Sequence, residues 1–252
     1  MPRFPRCARY DPEWVIANQM GPNVLWLTEF LSQAMDLRPG MRVLDMGCGK
    51  ALSSIFLARE FGVQVWATDL WIPAAENLGR VQEAGLEDLV FPVHAEAHTL
   101  PFATGFFDAA FCVDAYHYFG TDDLYLGYFA RFVRPDAQIG IVVPGVRQEI
   151  GVDIPRTLRP VWDWDFGSFH TTAWWRAHWE KTGLVDIAIA DSLPKGWEIW
   201  LQWEEMWEKS GRPRPHSNAE LLRADTGHLL SFTRMVARRR AEPLYPSPLY
   251  SS

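Results

Sequence analysis

Short apolar runs alternate with amphipathic stretches through the first 144 residues of this 252-residue chain. The apolar runs are rich in β-branched and aromatic residues, as β-strands are. They are RVLDM (42–46), VQVWATD (63–69), LVFPVHA (89–95), FDAAFCVDA (107–115) and QIGIVVP (138–144). Helical stretches lie between them, so the pattern predicts an α/β protein built from right-handed βαβ units. Its parallel sheet is then covered by helices on both faces.

The pattern is less regular outside this region. An apolar stripe predicts one helix over 22–37, and the RPG sequence at 38–40 ends it. The elements predicted after residue 144 are a helix at 171–183, a strand at 184–192, a helix at 198–211 and a strand at 229–239. The Pro- and Ser-rich tail at 241–252 is expected to be loose. Length does not demand a second domain, so one domain is predicted over 1–252.

Composition and charge argue against several classes of partner and site. The formal net charge is −7 and the one notable basic run is RMVARRR at 234–240, so no nucleic-acid partner is expected. Three cysteines are too few for a disulfide framework or a Cys-rich zinc site. With no apolar leader and no long apolar run, the sequence predicts a cytoplasmic protein without stable membrane association. His94 and His98 straddle a strand end rather than sharing a helix face, so no metal site is predicted.

A glycine-rich turn follows the first strand, in the run Asp45-Met46-Gly47-Cys48-Gly49. Such a turn lets a ligand approach backbone N–H groups near the positive end of a helix. A dinucleotide fingerprint has a third glycine where this chain has Leu52. Asp45 would also repel a pyrophosphate, whereas a carboxylate suits a cation. The turn therefore favours S-adenosylmethionine over a nicotinamide dinucleotide.

The run Asp45-x-Gly47-x-Gly49 resembles motif I of class I S-adenosylmethionine-dependent methyltransferases, in particular their small-molecule and cyclopropane-synthase-like members. Asp69 at the end of the second strand, HAEAHTLPF (94–102) and FFDAAFCVDAYHYF (106–119) resemble later family motifs in the same order. The resemblance covers about residues 40–144. Two departures are Ala51 at a frequent glycine position and Asp136-Ala137 in place of a Gly-Gly turn.

The resemblance implies a Rossmann-like sheet of seven strands in the order 3-2-1-4-5-7-6, with the last strand antiparallel and a helical, Trp-rich cap. Residues 1–39 would then form N-terminal helices or a lid, with the family's lid placing Tyr10 and residues 18–23 over the cofactor. Residues 40–144 would form the cofactor-binding half. Residues 145–240 would form the acceptor side with the cap insertions.

The resemblance also implies a set of cofactor contacts. Asp69 would accept both ribose hydroxyls, Glu96 would accept the adenine amino group, and the Ala97 N–H would donate to the adenine ring. The full set of expected cofactor residues is Asp45, Gly47, Gly49, Asp69, Leu70, Glu96, Ala97 and Asp114.

Methyl transfer needs alignment and exclusion of water more than it needs a base. His117, Asp114, Tyr116 and His170 are the candidate catalytic residues, because they follow the fourth strand or precede the Trp-rich helix. The alternative for His117 is a place in the wall that supports the cofactor. For Asp114 the alternative is a structural hydrogen bond.

Nine of the 13 tryptophans fall between residues 162 and 207. The spacing of Trp200, Trp203 and Trp207, and of Trp175 and Trp179, is more often core packing than a binding site. A pocket rich in indole rings would nevertheless suit a flat aromatic acceptor or a cationic amine.

These features predict N-, O- or C-methylation of a small-molecule acceptor, and a homodimer is compatible with the sequence. The alternatives are a lipid-directed enzyme of the cyclopropane-synthase or phospholipid-methylating type, and a protein that binds the cofactor without turnover.

Overall fold

The computed structural model describes residues 3–213 and 217–245. In these segments seven strands form one sheet in the order β3-β2-β1-β4-β5-β7-β6. The strands are β1 (Arg42–Met46), β2 (Gln64–Asp69), β3 (Val90–His94), β4 (Phe107–Val113), β5 (Val133–Val146), β6 (Val185–Ser192) and β7 (Leu230–Arg239). Strand β7 runs antiparallel to both β5 and β6, and the pairs from β3 to β5 are parallel. The predicted strand order and the antiparallel last strand are confirmed.

Helices cover both faces of this sheet. They are α1 (Pro12–Asn18), α2 (Val24–Ser32), α3 (Leu52–Phe61), α4 (Ala74–Glu83), α5 (Tyr125–Ala130), α6 (Thr172–Glu180), α7 (Gly196–Ser210) and α8 (Ala219–Asp225). The sequence prediction missed α1 and α8 and made α2 too long. Asp11 caps α1 by accepting the Glu13 N–H, and Pro12 occupies the first helical position, where its missing N–H has no cost.

Alternate residues of the central strands point their side chains into two separate hydrophobic cores, one on each face of the sheet. Val43 faces the side covered by α2, α3 and α7, whereas Leu44 faces the side covered by α5 and α6. Both side chains are fully buried, as expected for a parallel sheet with helices on both faces. The tryptophans divide in the same way, with Trp175 and Trp179 in one core and Trp200, Trp203 and Trp207 in the other.

The C-terminal segment differs from its prediction as far as residue 245. The Leu244 N–H donates to the Gly183 carbonyl (2.9 Å), so the start of the tail is docked beside β6 rather than loose. Residues 246–252 of that predicted tail lie outside the described residues.

Candidate cofactor site

Three residues of the glycine loop between β1 and α3 adopt the left-handed backbone conformation. Gly47, Gly49 and Ala51 have φ values of 69°, 54° and 61°. A Cβ on Gly47 would lie 2.4 Å from the Cβ of Ala115, just after β4, so no side chain fits there. The N–H groups of Gly47 and Cys48 both donate to the Thr68 carbonyl at 2.9 Å. The loop is therefore held between the carboxyl ends of β2 and β4.

Asp69 ends β2 and reaches back to the glycine loop. Its Oδ2 accepts the Gly49 N–H (2.8 Å), and its Oδ1 accepts the N–H groups of Trp71 (2.8 Å) and Ile72 (2.9 Å). A carboxylate has about four acceptor positions, so three of them are occupied by backbone. These hydrogen bonds make Asp69 an anchor of the glycine loop and leave one acceptor position for a further donor. The contact of Asp69 with the ribose hydroxyls stays a prediction.

Asp45 lies beneath the loop instead of in the crevice. Its carboxylate is fully buried, and its Oδ2 accepts the hydroxyls of Ser53 and Ser54 on α3, each at 2.6 Å. Burial raises the pKa of Asp45 to about 6, the two serine hydrogen bonds oppose this, and the charge of Asp69 adds to it. The predicted direct contact between Asp45 and the cofactor is therefore not supported by the geometry. Asp45 joins the loop to the start of α3.

The segment that resembles an adenine-binding motif follows β3. Burial alone would raise the pKa of Glu96, but its hydrogen bonds with the ring (2.7 Å) and backbone N–H (2.8 Å) of His98 lower it. The Ala97 carbonyl accepts the Tyr125 hydroxyl at 3.1 Å. Next to Asp69, the side chain of Leu70 is half exposed, and the Leu70 carbonyl contacts the His94 ring at 2.7 Å. Glu96 thus keeps its negative charge, although His98 occupies both of its oxygens.

Residues 18–23 cross the carboxyl edge of the sheet. The sulfur of Met20 lies 3.0 Å from the position that a Cβ on Gly49 would take. A Cβ on Gly21 would lie 2.7 Å from Oδ2 of Asp114, and the indole N–H of Trp203 donates to the Gly21 carbonyl at 3.1 Å. This segment therefore contacts both halves of the chain at the predicted site.

Tyr10 lies apart from residues 18–23. Its ring packs on Phe56 and its hydroxyl donates to Glu60 (3.3 Å), toward the far end of α3 from the loop. These contacts hold Tyr10 against α3 and do not support its predicted place over the cofactor.

Asp114 and His117 follow β4 but have different surroundings. Asp114 has a left-handed φ of 57°, its N–H donates to the Val142 carbonyl (2.8 Å), and its carboxylate faces Gly21. His117 is buried between the rings of Tyr118 and Phe169, at 4.1 and 5.5 Å. Burial lowers the pKa of His117 from its ordinary value of 6.5 to about 3. Such an imidazole is a weak proton acceptor.

Tyr116 points away from the site. It is fully buried among aromatic rings that include Phe129, Trp175 and Trp179. Its hydroxyl has no hydrogen-bond partner among the described residues. The predicted catalytic role of Tyr116 is therefore corrected to a core role.

His170 lies at the carboxyl end of β5, where its carbonyl accepts the Val146 N–H at 3.3 Å. Its Nδ1 contacts the Glu149 carboxylate (2.9 Å), and its ring stacks on Trp174 with the ring centroids 3.7 Å apart. Phe169, its neighbour, contacts His117, so His170 is close to the predicted site and held by a carboxylate and an indole.

Sequence reasoning missed the residues that support the loop from α4 and the exposed rings beside it. Asn77 donates to the Gly49 carbonyl (2.9 Å), and Arg80 donates to Asn77 (2.9 Å). Trp71 and Tyr118 are 66% and 50% exposed, with their ring centroids 5.9 Å apart. The available signal in the sequence was an aromatic residue within five positions of a strand end, Trp71 after β2 and Tyr118 after β4.

Within residues 3–213 and 217–245, no cluster of three or more His, Cys, Asp or Glu side chains could hold a metal ion. Across the same residues, no helix has both the length and the apolar character that a membrane span requires.

A family model described as a methyltransferase domain matches residues 43–136, from β1 to the turn within β5. The matched region contains the glycine loop, Asp69 and Asp114. Together with the strand order, this match confirms the resemblance of this region to class I S-adenosylmethionine-dependent methyltransferases.

Two of the proteins with similar sequences are methyltransferases of known name. Methyltransferase GfsG of Streptomyces halstedii is 30% identical over 132 residues, which are 51% of this chain and 48% of that protein. The 2-methyl-6-phytyl-1,4-hydroquinone methyltransferase of a Synechocystis species is 26% identical over 71% of this chain and 57% of that protein. The chain thus spans about half the length of these relatives.

Solved structures show the same fold. A methyltransferase from Geobacter sulfurreducens, in complex with S-adenosylhomocysteine, aligns with a TM-score of 0.60 and 21% identity over 95% of this chain and 99% of that chain. Geranyl diphosphate C-methyltransferase from Streptomyces coelicolor aligns with a TM-score of 0.68 and 18% identity, over 85% and 78% of the two chains.

Proposed function

We propose that this chain transfers a methyl group from S-adenosylmethionine to a small-molecule acceptor. The observation that carries the proposal is the Asp69 carboxylate, which holds the Gly49 N–H at 2.8 Å where β1 and β2 end. Ligands of doubly wound sheets bind at the carboxyl ends of the strands, where the strand order reverses. Here that reversal falls between β1 and β4, beside the glycine loop.

The residues at this edge suit the cofactor chemically. Asp69 would accept one ribose hydroxyl, and Leu70 offers exposed apolar surface for the adenine. Gly47 and Gly49 set the shape of the loop beside which the methionine portion would lie. The carboxylates of Asp69 and Asp114 suit the positive sulfonium and amino groups. When bound, the cofactor supplies a methyl group on a good leaving group.

The chain's own residues then align the acceptor and exclude water. Residues 18–23 cover the edge between Gly49 and Asp114, which shields the reacting groups. His117, with its pKa near 3, serves as part of the wall and not as the general base. Asp114 is the better-placed proton acceptor, because its carboxylate lies at the crevice beside Gly21.

The acceptor side favours a cationic amine among small molecules. Trp71 and Tyr118 present exposed ring faces, and such faces attract ammonium groups. The 3₁₀ turn Trp164–Ser168 packs against the turn that carries Tyr118. Burial and the charges of Asp114, Asp165 and Asp163 raise the pKa of Tyr118, so three carboxylates act on the same ring. N-methylation is therefore the reaction we expect.

Transfer of a tritiated methyl group from labelled cofactor into a metabolite extract tests this proposal. We expect label in water-soluble products that cation exchange retains, and none with an Asp69→Ala variant. Label in an organic-soluble lipid would favour the lipid-directed alternative. Tight cofactor binding with no labelled product in any extract would favour a non-catalytic binding protein.

A further inference from the structure

A chain of three hydrogen bonds joins the N-terminal helix to the glycine loop through α4. The Oδ1 of Asn18, the last residue of α1, accepts the Arg80 Nε–H at 3.1 Å. Arg80 Nη1 donates to Asn77 Oδ1 (2.9 Å), and Asn77 Nδ2 donates to the Gly49 carbonyl (2.9 Å). Asn77 is buried and the Arg80 side chain is 18% exposed, so these bonds are largely shielded from water.

The same segment is fixed again on its other side. Two residues beyond Asn18, Met20 rests against Gly49, and the Gly21 carbonyl accepts the Trp203 indole N–H from α7. The backbone from 19 to 23 is thus anchored to the cofactor half through Arg80 and to the acceptor half through Trp203.

We propose that Arg80 is a positioning residue: its guanidinium joins Asn18 to Asn77 and so holds residues 18–23 across the cofactor crevice. The inference rests on the proposed function, because it concerns how tightly the crevice is closed over the cofactor. Arginine is required for geometric reasons. Its planar group directs Nε–H and Nη1–H at two amide oxygens at once, whereas a lysine ammonium is a point charge on a flexible stem.

The bridge predicts how the effects of two substitutions should combine. Asn18→Ala removes the partner of Nε, and Arg80→Lys keeps the charge but loses the two-pronged geometry. If both act through one bridge, the double variant should be no worse than Arg80→Lys alone. Arg223→Lys is a matched control, because Arg223 makes a surface pair with Glu208 on α7 (2.6 Å) and takes no part in the bridge.

Two measurements test the proposal. Hydrogen exchange of the peptide containing residues 18–23, without cofactor, should be about fivefold faster or more in Asn18→Ala and Arg80→Lys, and unchanged in Arg223→Lys. The dissociation rate of S-adenosylhomocysteine, followed by stopped flow, should rise by a similar factor in the first two variants. Thermal unfolding of each variant separates this local loosening from a global loss of stability.

Unchanged exchange in both bridge variants, or effects that simply add in the double variant, would overturn the role of Arg80. Failure of the wild-type protein to bind S-adenosylhomocysteine would overturn the proposed function instead. In that case the exchange measurement still decides whether Arg80 holds the segment.

Discussion

Asp69 anchors the glycine loop and is also the proposed acceptor for a ribose hydroxyl. A single substitution would remove both interactions. Its carboxylate accepts three backbone N–H groups, one from the glycine loop and two from the start of the next segment. Its remaining acceptor position is the one proposed for a ribose hydroxyl. The sequence resemblance identified the residue, but it could not show that the backbone already occupies most of the carboxylate.

The Asp69→Ala variant should bind S-adenosylhomocysteine more than tenfold more weakly, a loss of about 1.4 kcal/mol or more. It should also unfold at a lower temperature, because the partly buried N–H of Gly49 loses its partner. Titration calorimetry and thermal unfolding measure the two effects. Asp88→Ala, at an exposed aspartate, is the control and should change neither. Unaltered affinity in Asp69→Ala would refute the assignment of this carboxylate to the cofactor.

His117 gives a prediction about stability and pH. Its pKa is lowered to about 3 by burial, so between about pH 6.5 and 3 the unfolded chain binds a proton that the folded chain does not. Stability should therefore fall as the pH is lowered through this window, by at most about 1.4 kcal/mol per pH unit from this group. His117→Gln should lose stability less steeply, as measured by urea unfolding at several pH values.

The contribution of Asp45 to stability should change with pH in the opposite direction to that of His117. Burial raises its pKa to about 6, so between about pH 6 and 4 the folded chain binds the extra proton. Stability from this group increases as the pH falls, and Asp45→Asn should lose stability more steeply than the wild type. Identical pH slopes in the wild type and His117→Gln would show that His117 is not held neutral by burial.

At the scale of elements, the tryptophans of α6 and α7 are core residues, as their helical spacing favoured. Trp175 is fully buried against Tyr116, whereas Trp164, in the preceding 3₁₀ turn, is 87% exposed. Spacing identified the buried stripes because a helix repeats its inward face every three or four residues. It could not identify the exposed rings of Trp71 and Tyr118, which lie in turns without a period.

Trp175→Ala should lower the free energy of unfolding by about 3–5 kcal/mol, because it leaves a large cavity in the core around Tyr116. Trp164→Ala should change it by less than about 0.5 kcal/mol. Urea denaturation with constant slopes would measure both values. A loss below about 1 kcal/mol for Trp175→Ala would contradict the packing described for α6.

The strands were more predictable than the helices. Val43, Val65 and Phe111 belong to short apolar runs that any buried parallel strand requires, so every strand was found. Helices α1 and α8 are each seven residues long, too short for a periodic stripe to stand out. In α1 the signal was the capping Asp11 followed by Pro12, which is local chemistry and not a pattern of burial.

At the scale of the whole molecule, the site depends on contacts between residues far apart in sequence. Trp203 donates to Gly21 across 182 positions, and Arg80 donates to Asn18 across 62. Composition and periodicity carry no information about such pairs. The motifs around Gly47, Asp69 and Asp114 could be predicted because each follows a strand, and strand order alone brings their ends together.

Isothermal titration with S-adenosylhomocysteine, and with NADH as the competing nucleotide class, is the most direct test of which cofactor this site binds. We expect saturable, one-to-one binding of S-adenosylhomocysteine that weakens more than tenfold in Asp69→Ala, and no binding of NADH. Binding of NADH with no heat from S-adenosylhomocysteine would contradict this expectation.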